Sequence, residues 1–244
     1  MKGSERSDLA LPVKQARSRL TRDRFLAAGR NLLNRGAFED TSISDIADVA
    51  GCSVGAFYQR FPGKEAFFSV AVDTVLAGIA ADAERFATAK PFSDASVERA
   101  LVECITYWVR TFRRHQGFFR ALIKKALHSD ATWQPVRKAG VVSVEPFITA
   151  LASKCVQSDS DSFYYRALAG FQIVFGVMMN ASLHRTVLLN LRSQELTSWA
   201  TETLRHCLFD ELPPALLAYG SQTRKPARIL RLRPSKNSSK PPRT

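Results

Sequence analysis

The sequence has little of what builds metal centres, disulfide frameworks and common catalytic sites. Its four cysteines lie about fifty residues apart and its four histidines are scattered, so neither set shows the close spacing of metal ligands. A glycine-rich phosphate loop and a Ser/His/Asp pattern are also missing. The composition therefore disfavours an enzyme and a metal protein, and it predicts reduced thiols and no cofactor.

Long apolar runs are missing as well. No window of about 18 residues is continuously apolar and uncharged, as a spanning helix would require. The chain starts Met-Lys-Gly-Ser-Glu-Arg, without an apolar signal segment. Hydrophobic residues still make up 45% of the chain, which suffices for a large buried core. We expect a cytoplasmic protein that does not insert into a membrane.

Acidic residues are scarce at both ends of the chain. The net charge is +13, and eight cationic residues fall within 222–244, where no acid offsets them. A second basic cluster lies within 14–24, opposed only by Asp23. This balance points to a polyanionic partner, either nucleic acid or an anionic membrane surface. The C-terminal tail is either an accessory arm that adds non-specific DNA affinity or a solvated extension without a role.

The periodicity of apolar residues indicates helices throughout, and the strict alternation of strands is missing. Breaks are expected near Lys90 and His115, and Pro146 predicts a kink or break inside a helical pattern. We predict an all-α fold with a small three-helix domain followed by a larger helical domain. The predicted divisions are a flexible arm (1–16), the three-helix domain (17–63), the larger domain (64–212) and a basic, disordered tail (213–244).

The stretch from Thr41 to Phe61 has the pattern of a helix-turn-helix. Ser42 and the acid three positions later form a capping-box pattern, Gly51 ends that helix, and Ser53 can cap the next one. Two short helices in this order suit DNA, because the first crosses the backbone and the second enters the major groove. Polar residues at the end of the second helix have donors for phosphates and base edges: Tyr58, Gln59 and Arg60.

This block resembles the TetR (tetracycline-repressor) family of bacterial regulators. The resemblance rests on Ala28, Gly36, Ser42-Ile43-Ser44-Asp45-Ile46-Ala47, Ala50-Gly51-Cys52-Ser53-Val54-Gly55-Ala56-Phe57-Tyr58 and Phe61-Pro62-Gly63-Lys64-Glu65. Phe57 replaces the usual leucine, and Gln59-Arg60 replaces the aromatic or histidine residues often found there, which leaves the base preference open. The resemblance implies phosphate contacts from Ser42, Ser53, Tyr58 and Lys64 and groove contacts from Val54, Gly55 and Gln59. With Arg60, these residues form the predicted DNA-binding site.

The resemblance also implies that the larger domain pairs with a second copy. A helix within 163–189 is apolar on two sides, and a second helix within 196–208 repeats apolar residues at three- and four-residue spacing. Two such helices from each copy would form a four-helix dimer interface. The alternative is that both are ordinary core helices. The predicted interface residues are Phe171, Val174, Met178, Leu196, Trp199, Thr203, Leu204 and Cys207.

Aromatic residues are concentrated in the middle of the larger domain, where the resemblance implies a cavity for a small-molecule effector. An apolar cavity with a few polar groups is the usual form of such a site. The alternative is that the aromatic residues simply fill the core. The predicted pocket residues are Tyr107, Trp108, Phe112, Phe118, Phe119, Trp133, Phe147, Phe171, Gln172 and Phe175.

These patterns together predict a homodimeric, sequence-specific transcription regulator. The preferred hypothesis is a repressor that a small apolar or aromatic effector releases from operator DNA, with the helix that begins at Lys64 carrying the motion. One alternative is a non-specific, charge-driven DNA-binding protein, and the other is an enzyme.

Overall fold

Ten α-helices account for most of the residues that the computed structural model describes, namely 5–126, 130–155, 160–184 and 188–210. Within these ranges there is no strand, which confirms the predicted all-α fold. The helices are α1 (Glu5–Arg35), α2 (Ile43–Ala50), α3 (Val54–Tyr58), α4 (Lys64–Thr88), α5 (Lys90–Ser93), α6 (Val97–Arg114), α7 (Gln116–Ala126), α8 (Asp130–Ala152), α9 (Ser160–Leu183) and α10 (Gln194–Phe209).

The first helix is 31 residues long and begins at Glu5. The predicted arm, 1–16, therefore overlaps the start of α1, and the helical region begins well before residue 17. The mobility of that segment stays a prediction. The helix ends at Arg35, directly before Gly36, where the sequence predicted a stop.

The N-terminal helices pack around a cluster of phenylalanines. Phe25 of α1 meets Phe57 of α3 with ring centroids 5.5 Å apart, and Phe57 meets Phe67 of α4 at 5.3 Å. Phe61 completes the cluster, 4.9 Å from Phe67. The rings meet mainly edge to face, the geometry that aromatic quadrupoles favour. Residue 57, which departs from the family pattern, is therefore a core anchor that fixes α3 against α1 and α4.

Helix α4 leaves this cluster and enters the larger group of helices. It packs against α1 at one end and along α8, while α10 packs against both α9 and α6. The described residues up to Phe209 form one compact unit, and the predicted division between residues 63 and 64 stays a prediction. Helix α8 continues through Pro135 and Pro146, so the structure shows no break at Pro146.

Two helices are long and apolar enough to span a membrane by length and composition alone, Lys64–Thr88 and Ser162–Leu183. Both lie among other helices, α4 against α1 and α8, and α9 against α10, α8, α7 and α6. A helix buried on more than one side needs apolar residues around much of its circumference. Their packing inside the fold accounts for this composition. The basic tail, 213–244, lies outside the described residues.

Candidate functional sites

Helix α2 begins with the capping box that the sequence predicted. The Ser42 hydroxyl accepts a hydrogen bond from the Asp45 backbone N–H at 3.1 Å, and Asp45 Oδ2 accepts one from the Ser42 N–H at 2.8 Å. The Ser42 hydroxyl also donates to Asp45 Oδ2 at 2.6 Å. Hydrogen bonds from the Ser42 side chain and backbone lower the pKa of Asp45. Ser42 therefore fixes the start of α2 on an exposed edge of the domain.

The turn between α2 and α3 depends on Gly51, which adopts the left-handed conformation with φ 62° and ψ 39°. A residue with a Cβ is strained there, whereas glycine is not. The Gly51 and Cys52 N–H groups bond back to Asp48 and Ala47 carbonyl oxygens of α2. Ser53 then caps α3, its hydroxyl accepting from the Ala56 N–H at 3.1 Å. The turn and both caps are those predicted for a helix-turn-helix.

Helix α3 turns one side chain inward and a continuous face outward. Phe57 is fully buried, whereas the side chains of Val54 and Tyr58 are 39% and 56% exposed. Ser53, Gly55 and Gln59 are exposed too, so the structure brings five of the predicted DNA-contacting residues onto one surface. We call this surface the α3 face: Ser53, Val54, Gly55, Tyr58 and Gln59.

Two other predicted DNA-contacting residues make hydrogen bonds within the chain. The Arg60 guanidinium donates to the Ala56 carbonyl at 2.8 Å and to the Ser18 carbonyl of α1 at 3.4 Å. Lys64 Nζ donates to the Glu39 carbonyl at 2.6 Å. Both side chains therefore hold the domain together. The DNA contact from Arg60 stays a prediction, and the guanidinium keeps N–H donors beyond those used for Ala56 and Ser18.

Helix α7 joins the larger helical group to the N-terminal helices, which sequence reasoning did not predict. His115 Nδ1 lies 3.0 Å from Asn34 Oδ1 at the end of α1, and burial lowers the pKa of this histidine. Lys125 forms an ion pair of 2.6 Å with Glu65 at the start of α4. The other side of α7 reaches α9, where Arg120 Nη2 donates to the Ser182 carbonyl at 3.2 Å. No local pattern reports contacts between residues so distant in the chain.

The aromatic residues predicted for the pocket, apart from Trp133, form one connected cluster. Trp108 of α6 contacts Phe147 of α8 and Phe175 of α9, with ring centroids 5.7 and 4.8 Å apart. Phe175 continues to Phe112 at 5.4 Å and to Phe171 at 5.8 Å. The other members touch one of these rings directly or through a neighbour, and all are buried or half-buried: Tyr107, Phe118 and Phe119.

Two predicted pocket residues do not join this cluster in the described structure. Gln172 of α9 is exposed in the single chain, and its place in a pocket stays a prediction. Trp133 belongs to α8, but its side chain lies outside the described residues.

Helices α9 and α10 pack against each other within the chain. Gly170 is the close contact, because an added Cβ would lie 2.8 Å from Leu204 Cδ1 and 3.1 Å from Cys207 Cβ. Most of the side chains predicted for a dimer interface are buried in this packing and in the core behind it: Phe171, Val174, Met178, Leu196, Leu204 and Cys207. Their own chain covers them, so they do not present the partner-facing surface that we predicted. Trp199 and Thr203 are half-buried.

Other residues of the same helices face outward. On α9, Ile173 is 47% exposed, Gly176 is exposed and Val177 is half-buried. On α10, Trp199 is half-buried, and Phe209 is 44% exposed with its ring centroid 6.4 Å from that of Phe163 on α9. We call this surface the α9–α10 outer face. It was missed because periodicity identified two apolar sides of α9 but not which side its own chain covers.

The cysteines and histidines form no metal site among the described residues, where no group of three or more His, Cys, Asp or Glu side chains comes together. All four cysteines are free thiols, of which Cys104 and Cys207 are buried. Burial raises the pKa of the Cys104 thiol well above its ordinary value.

The fold and the α3 face define a helix-turn-helix protein of the DNA-binding class. Residues 25–71 match the sequence model described as bacterial regulatory proteins, tetR family. No curated protein matches the sequence. Residues 25–71 therefore carry the N-terminal domain of the TetR family of DNA-binding transcription regulators.

Several solved structures share this fold over most of the chain. A TetR-family transcriptional regulator from Mesorhizobium loti has a TM-score of 0.64 and 21% identity, over 79% of this chain and 96% of the other. A second, from Streptomyces coelicolor, has a TM-score of 0.56 and 17% identity, over 83% and 82%. FadR from Bacillus subtilis, solved in complex with stearoyl-CoA, has a TM-score of 0.52 and 14% identity, over 78% and 98%. These likenesses show the fold.

Proposed function

We propose that this regulator is a cytoplasmic homodimer that binds operator DNA through the α3 face and releases it when a small apolar or aromatic effector binds. The observation that carries the proposal is the α3 face itself. It begins at the capped start of α3, which follows the capped helix α2, and it is held outward because Phe57 packs into a core of phenylalanines. A rigid, exposed helix of small and polar residues is the element that enters a major groove.

The two polar side chains of the α3 face have separate roles in this proposal. Gln59 reads a base edge, since an amide pairs well with adenine, and Tyr58 donates its hydroxyl to a phosphate. A base contact raises the affinity for one DNA sequence only, whereas a phosphate contact raises the affinity for every sequence. Lys64 adds a phosphate contact with its remaining donors while it holds Glu39.

This division is tested on a duplex selected from a random pool with the wild-type protein. Gln59→Ala should weaken binding to the selected duplex by about 1–3 kcal/mol, roughly 5- to 150-fold, and leave binding to random DNA unchanged. Tyr58→Phe should weaken both by a similar factor. Val102→Ala, at a 49% exposed position of α6, is the control. If Gln59→Ala weakens both duplexes equally, the base-reading role is wrong.

The dimer is proposed to form through the α9–α10 outer face. The apolar side chains there are exposed in the single chain, and pairing with the same face of a second copy would cover them. Two α3 faces would then meet DNA about one helical turn apart. Ile173→Lys should shift the protein to monomer in sedimentation velocity, whereas Val102→Lys, at a similarly exposed site, should not. A dimer retained by Ile173→Lys would contradict this interface.

Effector binding is proposed to occur in the aromatic cluster around Trp108 and to reach the α3 face through α4 and α7. Helix α4 runs from the Phe61–Phe67 contact to the aromatic cluster, where Phe86 meets Tyr107 at 4.8 Å. FadR, which shares the fold, was solved with stearoyl-CoA, and the apolar acyl chain of that ligand supports an effector with an apolar part here. A shift of α4 would change the spacing of the two α3 faces, at a typical coupling of about 1–3 kcal/mol.

A different function, charge-driven coating of DNA, is the competing hypothesis. The net charge of +13 supports some binding to any duplex. It does not account for the paired caps and the outward polar face of the helix-turn-helix. Competition between selected and random duplexes separates the two functions, because non-specific binding is blind to sequence.

A further inference from the structure

The buried polar side chains of the described residues are satisfied within their own helices, with one exception. The buried hydroxyls of Ser143, Ser182 and Thr201 donate to the carbonyl one turn earlier, at 2.7, 2.8 and 2.8 Å. Trp108 Nε1 is buried as well, and it has no hydrogen-bond partner among the described residues. Natural proteins pair nearly all buried donors, so an unpaired indole N–H requires an explanation.

The unpaired donor sits in the aromatic cluster. Trp108 is 2% exposed, and its ring centroid lies 5.2, 5.7 and 4.8 Å from those of Tyr107, Phe147 and Phe175. These rings provide apolar contact area, and none of their acceptors, the Tyr107 hydroxyl included, pairs with Trp108 Nε1. Among the described residues no Asp, Glu, Lys or Arg is buried, so an ionised group entering this region would find no buried counter-charge.

We propose that Trp108 Nε1 is the hydrogen-bond donor that recognises the effector, and that the effector is a neutral, mainly aromatic molecule with an oxygen acceptor such as a carbonyl. The inference rests on the proposed function, in which the aromatic cluster takes the effector. The apolar rings bind the body of the molecule, and the indole N–H selects the ring that bears an acceptor. A pure hydrocarbon leaves the donor unpaired and loses that contribution.

The test uses two probes of nearly the same size and shape on the full-length protein. Acetophenone has a carbonyl where α-methylstyrene has a C=CH₂ group. Calorimetry should give about 10-fold tighter binding of acetophenone to the wild type, the usual effect of one buried hydrogen bond. In a proton–nitrogen spectrum, acetophenone should shift the Trp108 indole signal downfield, and α-methylstyrene should not.

Trp108→Phe keeps an aromatic ring and removes the N–H. It should bind the two probes with equal affinity and keep the wild-type affinity for α-methylstyrene within a few-fold. Equal binding of both probes to the wild type, an unmoved Trp108 indole signal at saturation, or binding of neither probe would overturn the proposal. The probe affinities and the Trp108 indole signal of the wild type test the proposal even if the variant folds poorly.

DNA binding separates a failure here from a failure of the proposed function. If the wild type prefers its selected duplex but not acetophenone, only the effector class is wrong. If the wild type shows no sequence preference, the proposed function itself is wrong.

Discussion

Gly117, the second residue of α7, packs against the end of α1. This contact offers a sharp test of how the two groups of helices are joined. A Cβ added at Gly117 would lie 2.5 Å from the Asn34 carbonyl carbon and 2.7 Å from the Gly36 nitrogen, and closer still to the Asn34 oxygen. All three are backbone atoms, which no rotamer change can move away. Gly117→Ala therefore forces α1 and α7 apart.

The expected size of the effect follows from two opposing contributions. Overpacking a tight contact costs about 1–3 kcal/mol, and a backbone clash of this kind belongs at the upper end. Alanine in place of glycine in a helix returns about 1 kcal/mol. The net loss is about 2 kcal/mol, and for a chain of this size each kcal/mol lowers Tm by about 2–4 °C. We predict a Tm about 4–8 °C lower.

Thermal unfolding followed by circular dichroism measures this difference. Gly78→Ala is the matched control, because it makes the same chemical change inside α4 where nothing lies within 4 Å of the added Cβ. It should be neutral or stabilising by up to about 1 kcal/mol. If Gly117→Ala and Gly78→Ala have the same Tm, α7 does not pack tightly on α1. The proposed coupling between the aromatic cluster and the α3 face would then not pass through α7.

Three further predictions concern a cap, a buried histidine and a buried thiol. Ser42→Ala should lower stability by about 1 kcal/mol in urea unfolding, because α2 loses its N-cap; an unchanged midpoint would contradict the role of the cap. Burial lowers the pKa of His115, so the folded chain binds this proton less tightly than the unfolded chain. The folded chain therefore gains stability above the ordinary histidine pKa and loses it as pH falls through the lowered pKa. In the His115→Asn variant the urea midpoint should change less between about pH 7.5 and about pH 5.5 than it does in the wild type. The same pH dependence in both proteins would refute this. Cys104 should react with iodoacetamide only after unfolding, since burial keeps its thiol protonated and covered; mass spectrometry showing equal labelling in folded and unfolded protein would exclude it.

The local features of the N-terminal helices could be predicted from the sequence. The capping box at Ser42, the stop at Gly51 and the cap at Ser53 depend on residues within a few positions of one another, and all three are present. The outward orientation of Tyr58 follows from the inward one of Phe57, since neighbouring residues on a helix point in different directions. Short-range physics suffices for this part of the molecule.

The larger group of helices was predicted less well, because its contacts join residues far apart in the chain. Apolar periodicity marked Val174 and Met178 as a face of α9 but could not tell that the chain itself covers them, which leaves Ile173 outside. Arg60 was predicted to contact DNA because it follows α3, and no local pattern indicated that its guanidinium donates a hydrogen bond to the Ser18 carbonyl of α1. Such pairings depend on the tertiary arrangement, which no local pattern reports.

Sequence-selective DNA binding is the central claim, and a competition titration at about 150 mM salt tests it most directly. A labelled duplex from the promoter region of the protein's own gene is displaced by the same duplex or by random DNA. Specific regulators bind their sites at least about 10³-fold more tightly than random sequence. We predict a preference of that order, and a preference roughly 5- to 150-fold smaller in the Gln59→Ala variant. Equal displacement by both competitors would show that charge, and not the α3 face, governs binding to DNA.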